Sequence, residues 1–381
     1  MAVAMAAPAA FACLLLLFPR SLEATMLTDA IATGKPLSMK RCLAQTPQEL
    51  NLKVLPKECH EDIQQFYCQR VRDVASKRYS ERLRGDCQPS AESQDPQMKP
   101  QAYAPAKIGY VIMGHRFPQN VKRLVSRLFE PGSTAFAIHV DEKSPSMYDD
   151  LRHWREVERL ESVVQVFSEF NVVRGGPNML KAELQGIRLL LNATVRWDFC
   201  ILLSEQDYPL RANSVLAEYL WVHRGTSFVS VDEGECERDV SYQCGDRVVS
   251  LSGGAQYPKV PGMRYGSGSQ WFVITWDFAE AVANNTGNPS TVVGAIFRDL
   301  TTVKQPDESF FQAVVLNTRF CALHSDYTLV WTDKDSMREV RSDTSEYNIL
   351  SPGVLSSLTD YFKLEEVRKQ SLWAFFARNG C

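Results

Sequence analysis

The fold is decided by residues 107–114, whose sequence is KIGYVIMG. After Lys107 the run is almost wholly apolar, it follows a proline, and it ends before a His-Arg turn. A continuous apolar run of this length is typical of a strand that is buried on both faces. Similar runs occur at residues 134–140 (TAFAIHV), at residues 199–203 (FCILL) and, in shorter form, near residues 163–167. We therefore predict four buried strands.

The segments between these strands have helical periodicity. Apolar residues recur three and four positions apart from Val121 to Phe129, from Leu180 to Leu191, and again over residues 215–222. Strands that alternate with helices predict βαβ units and a sheet covered on both faces. The predicted fold class is therefore α/β, with a mostly parallel, Rossmann-like sheet, helices on both faces, and a small cysteine-rich segment before it.

Three polar loops directly follow predicted strands: Gly114-His115, Asp141–Lys143 and Ser204–Leu210. The carboxyl ends of parallel strands meet at one edge of a sheet, and proteins of this class bind their ligands there. This coincidence is the main reason, from the residues alone, to expect an enzyme.

The N-terminal residues predict export. The first 18 residues carry no charge, and as a helix they would extend about 27 Å, just short of a ~30 Å hydrocarbon core. Residues 1–24 are therefore predicted to be a signal peptide or a signal anchor, and the anchor would attach the protein to a membrane. The alternative is an unusually apolar core helix. Residues 25–105 are predicted to be a cysteine-containing stem and linker, and residues 106–381 the catalytic domain.

The cysteines predict disulfides rather than a zinc site, because no pair has the Cys-x-x-Cys spacing. Cys236 and Cys244 could close a short loop. Four others lie close together and predict a small disulfide-stapled module: Cys42, Cys59, Cys68 and Cys87.

Two Asn-x-Thr triplets, at Asn192 and Asn284, agree with export to an oxidising compartment. The predicted location is the secretory pathway, either the Golgi lumen and membrane or, as the alternative, the outside of the cell. The net charge of −3 gives no reason to expect nucleic acid as a partner.

Two acidic residues at predicted strand ends are candidate ligand contacts. Asp141 could accept hydrogen bonds from a ligand, or it could cap the following helix. Asp207 lies in the polar loop SEQDYPL and could either line a site or satisfy a turn.

Two later motifs carry further candidates. QPDESFF, at residues 305–311, predicts a helix start with proline first and Asp307 and Glu308 in the first turn, where the helix dipole would keep a carboxylate ionised. GSQWF, at residues 268–272, leads into an apolar strand. Trp271 in this motif could stack on a sugar or pack in the core.

A metal site is not expected. Asp333-Lys334-Asp335 is the Asp-x-Asp triplet of the catalytic region, and it lies late in a polar run that predicts a solvated loop.

In order along the chain, these motifs resemble those of glycosyltransferase family 14. This family includes core-2/I-branching β-1,6-N-acetylglucosaminyltransferases and protein xylosyltransferases. The matching segments lie between residue 106 and about residue 379: IGYVIMGH with NVKRLVSRLFEP, AIHVDEKSP, VVRGGPNMLKAELQGIRLLL, FCILLSEQDYPL, GSQWFVITWDF, PDESFFQAVVLNTRFC and LWAFFAR.

The resemblance implies a GT-A-like fold and an inverting, metal-independent transfer of a sugar, N-acetylglucosamine first, from a UDP-sugar to a glycan or glycoprotein acceptor. Glu308 would be the general base that deprotonates the acceptor hydroxyl. Asp141 and the backbone near Met113 would bind the uridine, and Arg378 would neutralise the leaving diphosphate. The remaining candidates would contact the acceptor or the donor sugar: Gln270, Trp271 and Asp207.

Four positions depart from the family pattern: Arg174, Val330, Lys334 and Asn379. Asn379 stands where the family carries a lysine. These departures keep alternatives open, namely a xylosyl- or glucuronosyltransferase, or a relative that binds UDP or glycans without turnover. A glycosidase would need two opposed carboxylates, and the adjacent Asp307 and Glu308 do not provide them.

Overall fold

The structure is a computed structural model that describes residues 39, 43, 56–75, 104–232, 240–250, 263–333 and 376–379, except for the side chains of residues 70–75, 330–333 and 376–379. The strands are β1 (Ile108–Gly114), β2 (Thr134–Val140), β3 (Val164–Phe167), β4 (Phe199–Ser204), β5 (Asp207–Pro209), β6 (Ser227–Phe228), β7 (Ser241–Cys244), β8 (Arg247–Ser250), β9 (Val273–Thr275), β10 (His324–Ser325), β11 (Val330–Asp333) and β12 (Phe376–Asn379). The helices are α1 (His60–Ala75), α2 (Pro118–Leu128), α3 (Pro145–Val157), α4 (Pro177–Leu191), α5 (Asn213–Val222), α6 (Trp276–Asn285), α7 (Val292–Leu300) and α8 (Phe310–Asn317).

The main sheet has seven strands in the order β10-β6-β9-β4-β1-β2-β3. Strand β1 pairs in parallel with β2 on one side and with β4 on the other, and β2 pairs in parallel with β3. Strand β9 runs antiparallel to both of its neighbours, β4 and β6. The four predicted strands and the mostly parallel, Rossmann-like sheet are therefore confirmed, and the reversed β9 is a feature that the apolar pattern did not predict.

Every residue of β1 and of β2 is buried, because helices cover both faces of the sheet at its centre. Along β1, Tyr110 and Ile112 point into one core with apolar residues of α2, α3 and α5. Val111 and Met113 point into the other core, with residues of α4, α6, α7 and α8. This alternation explains why a strand in the middle of the sheet has a continuous apolar sequence.

Helix α1 is joined to the part of the chain that forms the sheets. A disulfide links Cys59, just before α1, to Cys244 at the end of β7. Ile63 and Tyr67 of α1 form a small buried cluster with Val240 beside this hairpin. The predicted loop between Cys236 and Cys244 is therefore wrong, and Cys59 does not pair within a self-contained module. The apolar contact of α1 with the hairpin brings the two distant cysteines together.

Cys68 and Cys321 each take part in a disulfide bond, and Cys200 is a free, buried thiol. Among the described residues, no helix combines the length and the apolar character needed to cross a bilayer. The predicted leader at residues 1–24 lies outside the described residues, and the proposed domain boundaries remain predictions.

We expect Gly186→Ala to destabilise the protein although alanine favours helices by about 1 kcal/mol over glycine. Gly186 packs against β1, and a Cβ atom there would lie 2.6 Å from Val111 Cγ1. Overpacking of this kind costs about 1–3 kcal/mol, which urea unfolding would measure. The same change in a Val111→Ala background should cost much less, and an equal cost in both backgrounds would contradict this packing.

Candidate active site

The three predicted loops meet at the carboxyl edge of the sheet. Gly114 is in register with Val140, and Met113 with Ser204, so β1, β2 and β4 end at the same level. Backbone hydrogen bonds also hold the first residue after β2 and the first residue after β4 against β1. The Asp141 N–H donates to Gly114 O at 2.9 Å, and the Glu205 N–H donates to Met113 O at 2.9 Å. Sequence reasoning therefore located this edge correctly.

A buried carboxylate, Glu205, organises the loop that follows β1. Its Oε2 accepts three backbone N–H groups, from His115 at 2.8 Å, Arg116 at 3.0 Å and Phe117 at 3.1 Å. His115 Nδ1 lies 3.0 Å from Oε1. These three N–H groups precede helix α2, and the carboxylate satisfies donors that the helix itself leaves unpaired.

Glu205 is ionised in this setting. Burial alone would raise the pKa of its carboxyl group, but the hydrogen bonds from the His115 side chain, from the Arg116 and His115 backbone, and the charge of His115 together lower it below its usual value. A carboxylate that accepts several N–H bonds is stabilised in its charged form.

Asp141 lies at the end of β2, where the uridine contact was predicted, and it is 6% exposed. Its oxygens already accept the Lys143 N–H at 2.9 Å and Lys143 Nζ at 3.0 Å. Lys143 Nζ also donates to Val172 O at 2.7 Å. The Asp141–Lys143 pair thus connects the end of β2 to the segment that follows β3. A ligand bound at Asp141 would therefore lie close to Lys143 as well.

His139, two residues before Asp141, is a neutral core residue. Burial lowers the pKa of its imidazole to about 4, although the negative charge of Asp141 by itself raises that pKa. The ring packs edge-on against Phe167, with centroids 5.1 Å apart.

Asp207 satisfies the turn after β4, which was one of its two predicted roles. Its Oδ2 accepts the Ser204 N–H at 2.6 Å, and its side chain is buried. In the small sheet β11-β12-β5, Asp207 is in register with Arg378. The backbone of Arg378 therefore lies beside the exit of β4, while its side chain is outside the described residues.

Glu308 lies in a 3₁₀ turn, Pro306–Glu308, and helix α8 begins only at Phe310. The predicted helix start is therefore a 3₁₀ helix with Pro306 first and Asp307 and Glu308 in its single turn, and α8, which follows it, has no acidic residue in its first turn. The preceding Gln305 has a left-handed backbone, with φ of 58°. Such a conformation is costly for a residue other than glycine and persists where the surroundings enforce it.

Contacts from two other segments hold this turn in place. The Gln305 N–H donates to Gly175 O at 2.8 Å, and the Gly268 N–H donates to Glu308 O at 3.0 Å. The Gln305 side chain also donates to Glu308 Oε2 at 2.9 Å. Gly268 cannot carry a side chain, since a Cβ atom would lie 2.0 Å from Ser230 O. The predicted base is thus fixed on both its backbone and its carboxylate.

The predicted sugar-facing residues lie in the same loop as Gly268. Gln270 Nε2 donates to Glu183 Oε1 at 3.0 Å. Trp271 is half-buried and packs against both apolar cores. Part of the Trp271 ring therefore serves the core, as the alternative interpretation held.

The structure brings two groups of predicted residues to the carboxyl edge. One holds Met113, Asp141 and Asp207 at the ends of β1, β2 and β4. The other joins Glu308 to the loop of Gln270 and Trp271.

A cavity of about 400 Å³ lies between α1, α4 and the β7–β8 hairpin, with Asn178, Lys181 and Tyr242 in its walls, and none of the predicted site residues lines it. Of the departures from the family pattern, Arg174 is exposed to solvent.

Two acidic residues at this edge were missed from the sequence. Glu205 stands in a loop that was singled out, but its partners are about 90 positions away. Glu183 stands inside α4, where a glutamate normally indicates a solvated face. It is 0% exposed, and its neighbours in the helix, Ala182 and Leu184, are buried as well. A polar residue within that apolar stretch was the signal that could have found it.

Comparison with known proteins gives a family match. A family model described as Core-2/I-Branching enzyme matches residues 108–359. Xylosyltransferase 2 of Homo sapiens is 28% identical over 351 residues, which cover 84% of this chain and 38% of that protein. Xylosyltransferase oxt of Drosophila melanogaster is 25% identical over 281 residues, which cover 71% of this chain and 31% of that protein. The chain thus spans less than two fifths of the length of either relative.

Similarity to solved structures is weak. A 4-diphosphocytidyl-2C-methyl-D-erythritol synthase from Anaerococcus prevotii aligns over 47% of this chain and 73% of its own, with 7% identity and a TM-score of 0.26. A TM-score of 0.26 is too low to support an inference about this site.

We expect Glu205→Gln to lower the free energy of unfolding by about 1–3 kcal/mol, because charge-assisted bonds to three N–H groups are weakened. The measurement is urea unfolding, with Glu161→Gln on the exposed surface as the matched control. The wild type should also lose stability as the pH falls below about 4.5 and through the lowered pKa of Glu205, since a depressed pKa contributes stability only above that range. The variant should lose less on acidification, and parallel pH curves would contradict the assignment.

Proposed function

The chain belongs to the Core-2/I-branching enzyme family of glycosyltransferases, and from that premise we propose that it transfers a sugar from a UDP-sugar to a hydroxyl of a glycan or glycoprotein with inversion. The observation that carries the proposal is the fixed Glu308 turn at the carboxyl edge, together with the loops that end β1, β2 and β4.

Glu308 is the proposed general base. Its carboxylate would take the proton of the acceptor hydroxyl as that oxygen attacks the anomeric carbon from the face opposite UDP. The bond from the anomeric carbon to the diphosphate oxygen then breaks, and UDP leaves with the charge. The hydrogen bond from Gln305 to Glu308 Oε2 supports this role because it orients the carboxylate and leaves Oε1 for the acceptor.

The donor is proposed to bind across the ends of β1 and β2. Asp141, with Lys143 beside it, and the backbone around Met113 would contact the uridine, as the family resemblance implies. Arg378 would neutralise the leaving diphosphate through bidentate bonds, in place of a metal ion. The register of Arg378 with Asp207, next to the β4 exit, supports this position.

The proposed sugar is N-acetylglucosamine. Xylose is the second candidate because the relatives that match most of this chain are named xylosyltransferases. Gln270, Trp271 and Asp207 are proposed to line the sugar or acceptor side, although Gln270 and Asp207 also have structural hydrogen bonds.

We propose a location in the secretory pathway, with the Golgi as the first candidate. The Cys59–Cys244 disulfide supports an oxidising compartment. The apolar N-terminal segment is proposed to direct export and, if retained, to anchor the protein.

Glu308→Gln should lower kcat about 10²- to 10⁴-fold, because the amide cannot accept the acceptor proton. The measurement is UDP release from UDP-N-acetylglucosamine, UDP-xylose and UDP-glucuronic acid with glycan and glycoprotein acceptors. Glu161→Gln is the control and should retain full activity. Equal turnover of Glu308→Gln and wild type would remove Glu308 as the base.

The same assay separates the alternatives. Activity that persists in EDTA supports a metal-free reaction, and activity lost in EDTA contradicts it. Binding of UDP without turnover of any donor would favour an inactive, UDP-binding relative, for which Asn379 in place of a family lysine gives a reason.

A further inference from the structure

Glu183 lies in the middle of α4 and is completely buried. Its Oε1 accepts the Gln270 amide at 3.0 Å, which connects α4 to the loop that carries Trp271. Its Oε2 has no hydrogen-bond partner among the described residues. For a buried carboxyl group with an oxygen that accepts no hydrogen bond, the ionised form has a far higher desolvation cost than the neutral form.

Asp307 faces Glu183 from the 3₁₀ turn and is itself 6% exposed. Burial and then the charge of Asp307 raise the pKa of Glu183 well above its usual value, and the hydrogen bond from Gln270 opposes them only in part. Asp307 is the charged group that acts on Glu183 from the described elements packed around it. Two adjacent buried charges would repel each other, so the charge of Asp307 favours the neutral form of Glu183.

The hydrogen bond from Gln270 and the charge of Asp307 relate Glu183 to two segments of the proposed site. Gln270 belongs to the loop whose Gly268 N–H bonds Glu308 O, so this loop is attached at two points, one to the turn and one to α4. Asp307 is the residue directly before Glu308. A change at Glu183 would therefore act on the Gln270 loop and on the Glu308 turn together.

We propose that Glu183 is a positioning residue, whose neutral carboxyl group holds the Gln270 loop and lets the Asp307-Glu308 turn pack against α4. The inference rests on the proposed function, because it assigns Glu183 a role in placing the sugar-facing loop opposite the base. Glu183 is not proposed to contact substrate.

The kinetic test compares Glu183→Gln, Glu183→Ala, Gln270→Ala and the double variant Glu183→Ala/Gln270→Ala. Glu183→Gln keeps a neutral group with an acceptor oxygen, so it should stay within about threefold of wild type. Glu183→Ala and Gln270→Ala should each lower kcat/KM by about 10- to 100-fold, since a misplaced site costs on this scale. The double variant should be no worse than the more impaired of the two single variants, because both changes break the same contact.

Gln185→Ala, on the same helix, is the matched control and should leave kcat/KM unchanged. The pH profile adds a readout that a purely structural role would not change. If ionisation of Glu183 disrupts the site, wild-type activity falls on the alkaline side, and Glu183→Gln removes that part of the fall. Fully additive losses in the double variant, or a Glu183→Gln enzyme as impaired as Glu183→Ala, would overturn the proposal.

A stability measurement tests Glu183 even if no donor is turned over. A raised folded pKa gives stability that is complete below about 4.5 and is lost as the pH rises toward the folded pKa. The Tm of Glu183→Gln minus that of wild type should therefore increase as the pH rises from 4.5. A difference that does not change with pH would show that Glu183 is not held neutral, whereas failure of transfer alone would refute only the proposed function.

Discussion

The Glu205 carboxylate stands between the ends of the two central strands, β1 and β4, and the geometry of the site edge depends on it. Helix α2 begins four residues after β1, so the intervening N–H groups have no helical partner. The Glu205 carboxylate accepts three of these N–H groups, and the Glu205 N–H donates to Met113 O near the end of β1. One side chain thus fixes the β1 loop relative to the β4 loop. The adjoining ends of β2 and β5 are then placed by ladder pairing and by short bonds such as that of Ser204 to Asp207.

Two buried glutamates at this edge have pKa values shifted in opposite directions, and their surroundings explain the difference. Glu205 is surrounded by N–H donors and by His115, so it is ionised. Glu183 is completely buried, has one amide donor and lies near the charge of Asp307, so its pKa is raised. The roles of both glutamates could not be predicted from composition, because each connects segments that are far apart in sequence.

Much of the fold was predictable because strands covered on both faces need apolar residues at every position. The sequences of β1 and β2 show this directly, and the polar loops after them marked the site edge. The reversed direction of β9 was not predictable, since a three-residue strand has the same apolar character in either direction. The bonds of Glu205, the Cys59–Cys244 pairing and the position of Glu183 depend on contacts across 87 to 185 residues. The sequence Pro-Asp-Glu favours a 3₁₀ turn and the start of an α-helix alike, so it does not show that α8 begins only at Phe310.

The Cys59–Cys244 bond has a consequence for the order of events during synthesis. The two cysteines are separated by 185 residues, so at about 5–20 residues per second Cys244 is made roughly 10–40 s after Cys59. Throughout that interval Cys59 has no native partner, while Cys68 follows it closely in the chain. Correct pairing therefore requires either that the early thiols remain reduced or that a first, non-native bond is later exchanged. Because the two cysteines lie so far apart in the chain, we expect formation of the native disulfide to depend on thiol–disulfide exchange during folding.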